Sequence, residues 1–163
     1  MTFSPELGQL KLVVFDLDYT LWPYHVDSTV SLPFHVKSSQ VLDQTGKEIK
    51  PFPEVPIVLD YLAERGVTIA AASRTTKPPG AHQLLDLFDW NRYFALKEIY
   101  PGCKTTHFKR FKDQTMVPYS SMLFFDDEDR NIHDVSNLGV KCVLVQHGMN
   151  MKLLHEALNL FKN

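Results

Sequence analysis

The segment KLVVFDLD, residues 11–18, runs through four consecutive apolar residues and then meets two aspartates separated by one leucine. A strand that is apolar without alternation is covered on both faces, as strands of a parallel sheet are. VTIAAAS (67–73), SMLFFDD (121–127) and VKCVLVQ (140–146) read the same way, and YFALKEIYPG (93–102) contains a shorter strand. Helical patterns separate them. PEVPIVLDYLAERG (53–66) has prolines in its first turn, Val55, Leu59 and Leu62 on one face, and Gly66 as its stop. AHQLLDLFDW (81–90) turns Leu84, Leu85 and Phe88 inward, and KTTHFKRFKDQ (104–114) buries Phe108 and Phe111. NIHDVSNLG (131–139) and NMKLLHEALNLF (150–161) are the last two helices. Buried strands alternating with amphipathic helices imply an α/β fold, a doubly wound parallel sheet with helices on both faces.

The length, 163 residues, suits a single domain spanning 1–163. Residues 22–53 interrupt the rhythm with prolines, serines and aromatics. Loose alternation around Thr45-Gly46 predicts a hairpin there, so this region is expected to be a loop-and-hairpin flap.

In doubly wound folds ligands sit outside the carboxyl ends of the strands. Asp16 and Asp18 end the first strand, Ser73 and Arg74 the second, Asp126 and Asp127 the fourth, and Lys104 opens the helix after the third. All converge on one rim. Positions i and i+2 of a strand face the same side, so Asp16 and Asp18 can share a pocket. Clustered carboxylates repel one another, and a hard dication such as Mg²⁺ relieves the repulsion. Lys104 adds a positive charge, Arg74 can fork onto an oxyanion, and Ser73 offers a hydroxyl. Such a set suits a phosphoryl group. A metal-held carboxylate can attack phosphorus, and a second one can move protons.

DLDYT (16–20) matches the DxDxT signature of the haloacid dehalogenase superfamily. IAAASR (69–74) resembles its second motif, Lys104 fits the third and LFFDDEDRN (123–131) the fourth. FDLDYTLWP, AAASRT, EIYPG and FFDDEDRNI together resemble its capless magnesium-dependent phosphatase branch. The resemblance implies a Rossmann-like core and a Mg²⁺-dependent phosphatase. It implies Asp16 as nucleophile and metal ligand, and Asp18 as general acid/base that also ligates the metal through its carbonyl. Ser73 and Lys104 would hold the phosphoryl group. Asp127 would complete the metal site, with Asp126 and Asn131 in support. Members of that branch act on phosphotyrosine and on phosphorylated sugars or sugar–amine adducts, so a phosphorylated small molecule or a phosphotyrosine-bearing protein is the expected substrate. About 50 residues separate the first two motifs, which leaves no room for a folded cap domain.

Trp22, Tyr24, Phe34 and His35 either line the mouth of the site, with Trp22 a substrate contact, or pack the flap onto the body. The seven histidines show no ligand spacing, and Ser73 lacks the GxSxG elbow of a serine hydrolase. A formal charge of −2 and a pI near 6.4 provide no global field for nucleic acid or an anionic membrane. Lys109, Arg110 and Lys112 read as a solvated helix face. Cys103 and Cys142 read as free thiols, and the first residues do not resemble a signal peptide. A cytoplasmic or nuclear monomer is the expectation. Two other readings share the residue set. A receiver-type phospho-acceptor domain has its acidic pair early and its phosphorylated aspartate mid-chain, the reverse of the order here. A non-catalytic phospho-ligand module would often have lost Asp18 or Lys104.

Overall fold

The structure is a computed structural model that describes residues 7–162. Seven strands and five helices follow one another along the chain: β1 (Leu12–Phe15), β2 (His35–Lys37), β3 (Gln40–Leu42), α1 (Val55–Glu64), β4 (Thr68–Ser73), α2 (Pro78–Leu87) and β5 (Phe94–Ile99). Then come α3 (Lys104–Thr115), β6 (Met122–Asp126), α4 (Asp129–Ser136), β7 (Lys141–Leu144) and α5 (Met151–Leu158). Five strands form one sheet in the order β5-β4-β1-β6-β7, every pairing parallel. β1 is central and pairs on both sides, Leu12 with Thr68 and with Met122, Phe15 with Ala71 and with Phe125.

The lack of alternation has its expected cause. Successive residues of the inner strands enter different cores. Val13, Phe15, Ile69, Ala71, Leu123 and Phe125 face one layer, made by α1, α2 and α5. Leu12, Val14, Ala70, Ala72, Met122 and Phe124 face the other, made by α3 and α4. Phe15 stacks on Phe125 in the first layer, and Phe108 meets Phe124 edge to face in the second.

Helix boundaries follow backbone chemistry. α1 begins with proline in its first turn, where no N–H is needed, and ends at Gly66, whose φ of 75° suits glycine. α2 starts three residues earlier than the reading from residue 81. Pro78 and Pro79 lie at its first positions, where a missing N–H does no harm, so they open the helix. Phe88 therefore falls at its C-cap and is half-buried. α5 is capped by the Asn150 side chain, which accepts from Leu153 N at 2.8 Å.

The flap differs in detail from the expectation. Its hairpin, β2 with β3, closes at Ser38-Ser39, both at positive φ (52° and 64°), and not at Thr45-Gly46. Two successive left-handed residues twist the chain in the sense that two paired strands need. Thr45-Gly46 forms a second tight turn that carries the chain back along β3 through the Leu42–Glu48 bridge. Asp43 organises that turn. Its carboxylate accepts from Ser31 N, Thr45 N, Thr45 Oγ1 and Lys47 N. The flap is fastened to α2 by Gln83, whose amide both accepts from Phe34 N (2.7 Å) and donates to Phe34 O (2.8 Å). Among the described residues nothing between β1 and α1 folds into a separate cap domain. No helix among them is long and apolar enough to cross a membrane.

Candidate active site

The rim is built from strand ends. The backbone N–H of Asp16 still donates to Phe125 O at 2.9 Å, so the sheet itself places the first carboxylate. The chain then leaves the sheet in a tight loop. Tyr19 adopts a φ of 60°, Tyr19 N donates to Trp22 O, and Leu21 N donates to Leu17 O. This loop turns Thr20 back, and its hydroxyl donates to Asp16 Oδ2 at 2.9 Å.

Lys104 is 1% exposed, and its Nζ donates to Asp16 Oδ1 at 2.7 Å and to Asp126 Oδ2 at 2.6 Å. An ammonium without such partners would not stay buried. Burial works to lower its pKa, but the two carboxylates hold it above the ordinary lysine value. Asp126 is committed to these internal bonds. Besides Lys104 it accepts from Asn131 Nδ2 at 3.0 Å and from Glu128 N at 2.9 Å. Asp127 lies beside it and lines the cavity. Carboxylate oxygens of Asp16, Asp126 and Asp127 all lie within 4.8 Å of one another.

A cavity of about 380 Å³ brings the expected residues together: Asp16, Asp18, Ser73, Arg74, Lys104 and Asp127 all line it. Trp22 does not. It is fully buried, stacks on Trp90, and donates from its indole N–H to Asp18 Oδ1 at 2.8 Å. The expectation that Trp22 contacts substrate is corrected: the indole is too apolar to be left at this polar rim, and its one polar atom is spent on Asp18. Tyr24 and Phe34 are buried as flap packing, while His35 is exposed on β2. Ser73 Oγ accepts from Thr75 N at 3.1 Å, and Arg74 donates to Asn131 Oδ1 at 3.1 Å. Asp27 of the flap accepts from Thr76 N and Thr76 Oγ1, which joins the flap to the loop after β4.

Electrostatics follow from crowding. Burial, then the hydrogen bond and charge of Asp16, then the charge of Asp126 push the Asp127 carboxyl up to about 9. Burial and Asp16 likewise raise Asp126 to about 6, against Lys104. Asp18 also rises to about 6, from burial and the Asp16 charge, although Trp22, Val26 N–H and His25 oppose the rise. Three carboxylates against one ammonium leave an excess of negative charge in a half-enclosed space. An all-oxygen donor set of this charge fits a hard divalent cation such as Mg²⁺, and offers none of the nitrogen or sulfur that softer metals prefer.

Four contributors were not picked out from sequence. Thr20 closes DxDxT and was visible as the last letter of that motif. His107 shares a helix face with Lys104, Phe108 and Phe111, and a histidine on an apolar stripe was the available signal. His25 and Asp27 line the cavity from the flap, where nothing local announces them.

A family model described as Acid Phosphatase matches residues 9–163. The chain belongs to the acid phosphatase family. It is therefore a phosphatase built on the haloacid dehalogenase core. It is 55% identical over 152 residues to human magnesium-dependent phosphatase 1, covering 93% of this chain and 86% of that protein. A HAD-like hydrolase superfamily protein of Schizosaccharomyces pombe is 38% identical, covering 80% of this chain and 82% of the relative. Among solved structures, the N-terminal part of a Bacteroides fragilis protein, containing a phosphatase domain complexed with Mg, superposes with a TM-score of 0.66 at 20% identity. That match covers 96% of this chain and 42% of the other. A HAD-superfamily hydrolase from Geobacter sulfurreducens gives 0.65 at 13% identity, over 94% and 97% of the two chains. At these identities the two structures speak to the fold.

Proposed function

We propose that this acid phosphatase family member hydrolyses phosphomonoesters with Mg²⁺ through an aspartyl-phosphate on Asp16. The observation that carries the reading is the meeting of the Asp16 and Asp127 carboxylates, 111 residues apart in sequence, within 4.8 Å beside buried Lys104. Asp16, the Asp18 carbonyl and Asp127 would hold the ion. When bound, Mg²⁺ offsets the carboxylate charge and draws electron density from the phosphoryl oxygens.

Asp16 is aimed by its partners. Thr20 holds one oxygen and Lys104 the other, so the side chain has little rotational freedom. One Asp16 oxygen attacks phosphorus and forms the P–O bond as the ester P–O bond breaks. The Ser73 hydroxyl and the Lys104 ammonium stabilise the charge on the transferring phosphoryl oxygens. Asp18, raised to about 6, gives its proton to the departing oxygen and afterwards takes one from the water that hydrolyses the acyl phosphate. Water leaves its hydroxyl on phosphorus, and Asp16 is regenerated with release of phosphate.

The cavity opens beside the flap, no folded cap stands over it among the described residues, and Arg74, Arg130, Asp27 and Glu128 help to line it. This openness supports bulky leaving groups, phosphotyrosine or phosphorylated sugars and glycated amines. Asp16→Asn is expected to lower p-nitrophenyl phosphate turnover by roughly 10³-fold or more while circular dichroism stays native. A folded variant with near-normal turnover would remove Asp16 from the reaction. Turnover of phosphotyrosine peptides compared with phosphorylated sugars and glycated amines, all with Mg²⁺, selects the substrate class.

A further inference from the structure

His107 is fully buried, and both of its ring nitrogens face backbone carbonyls. Nε2 lies 2.9 Å from Ser73 O and 3.0 Å from Tyr100 O, and Nδ1 lies 3.3 Å from Cys103 O. These three carbonyls belong to the end of β4, the loop just past β5, and the residue before α3. Ser73 O belongs to the residue that carries the hydroxyl, and Cys103 O to the residue just before Lys104. Tyr100 N also donates to Ser73 O at 3.0 Å, and the Tyr100 ring stacks on the imidazole with centroids 4.2 Å apart. Tyr100 and Arg110 both hydrogen-bond Glu98, which ties the same loop to the outer face of α3.

We infer that His107 is a positioning residue of the phosphatase, whose imidazole sets the spacing between Ser73 and Lys104 by bridging the carbonyls of β4 and the β5–α3 loop. The inference rests on the proposed role of those two side chains in holding the phosphoryl group. The β4–β5 ladder pairs as far as Ser73 with Ile99 and closes with Tyr100 N donating to Ser73 O, so the Tyr100 carbonyl past that point must find another donor. In the tautomer with its proton on Nε2, the imidazole shares that N–H between Ser73 O and Tyr100 O and serves both strands at once. An apolar ring of similar size would fill the space and leave both carbonyls with a donor lost. Burial, together with the charge of Lys104, holds the imidazole below its ordinary pKa despite the three carbonyls, so it adds no charge to the site. Displacement of a catalytic group by even 1 Å costs on the order of 10²-fold in rate. His107 hydrogen-bonds neither Asp16 nor Asp127, so its effect reaches the metal side only by way of Lys104, whose Nζ holds Asp16 Oδ1, and should fall more heavily on the phosphoryl group than on the metal.

The test uses the full chain with Mg²⁺ and p-nitrophenyl phosphate. His107→Phe is expected to lower kcat/KM about tenfold or more and to raise the inhibition constant of inorganic phosphate by a similar factor. The Mg²⁺ concentration for half activation should change less than about twofold. His107→Gln, whose amide offers two N–H donors, should recover most of the loss. Should the phenylalanine variant not fold, His107→Asn, polar but too short to reach Ser73, takes its place with the same expectations. Wild-type kcat/KM and phosphate inhibition in the folded variant would overturn the inference, as would a loss accompanied by an equal loss of Mg²⁺ activation. Absence of Mg²⁺-dependent turnover in the wild-type protein would instead overturn the proposed reaction, independently of His107.

Discussion

Trp22 acts in two directions at once. Its ring packs against Trp90 and Phe88 in the larger core, and its N–H holds Asp18 Oδ1. The core contact anchors the loop, and the hydrogen bond sets where the proposed proton donor points. Trp22→Phe keeps an aromatic ring and loses the N–H. A hydrogen bond to a charged group contributes about 1.5–3 kcal/mol, and roughly half of that lost from the transition state is a tenfold effect. Turnover of p-nitrophenyl phosphate is therefore expected to fall about tenfold, and the urea midpoint to fall as well, because the smaller ring leaves space in the core; an unchanged kcat in the folded variant would separate Asp18 from the indole. The same residue shows why side-chain roles are hard to read from a string. The indole could have lined the mouth, and its neighbours in the fold, Trp90 and Asp18, decided otherwise.

The flap depends on one buried carboxylate. Burial works to raise the Asp43 carboxyl, but the Thr45 hydroxyl and the N–H groups of Ser31, Lys47 and Thr45 take it down to about 2. A folded-state pKa below the unfolded value of about 3.9 means that the ionised form stabilises the turn. That contribution is full above about pH 4 and is lost as the pH falls toward 2. Asp43→Asn is expected to weaken the flap at pH 7, where the ionised carboxylate holds the turn. Amide hydrogen exchange at Ser31, Thr45 and Lys47 reads this as reduced protection, and the difference from wild type should shrink as the pH falls through about 2. Equal protection in the two proteins at pH 7 would show that the turn does not need the charge. The loop after β7 has a comparable single support: Gly148 has a φ of +80°, and the Phe52 ring lies where a Cβ would sit, 2.5 Å away. Neither support was legible beforehand. Thr45-Gly46 announced a turn, yet Ser38-Ser39 closes the hairpin, because two serines at positive φ carry no strong local signal.

For the molecule as a whole, the sheet is a device for assembling like charge. Parallel strands point their carboxyl ends the same way, so residues from β1 and β6 must meet at one rim, and helix dipoles and one lysine do not neutralise them. Folding therefore works against repulsion that a bound dication removes. A ligand held only by the native state stabilises it by about 2.7 kcal/mol at a hundredfold its Kd. Mg²⁺ at that excess is expected to raise the melting temperature over EDTA-treated protein by on the order of 5–10 °C, and EDTA should abolish turnover. The same melting temperature with and without Mg²⁺ would show that the carboxylates are not joined by the ion.

Periodicity in the chain determined the parallel sheet, because a strand buried on both faces cannot alternate, and the order of the motif residues determined which of them would share a rim, because strand direction leaves no other end. The tertiary structure decided the division of labour within that rim. Asp126 and Asp127 are adjacent and chemically identical in sequence, yet one turns inward to Lys104, Asn131 and Glu128 N–H and the other lines the cavity. Trp22 and His107 acquired their parts from Asp18, Ser73 and Tyr100, partners 4, 34 and 7 positions away along the chain. Hydrogen bonds of a buried side chain are made with whatever the fold brings near, and packing alone chooses those neighbours.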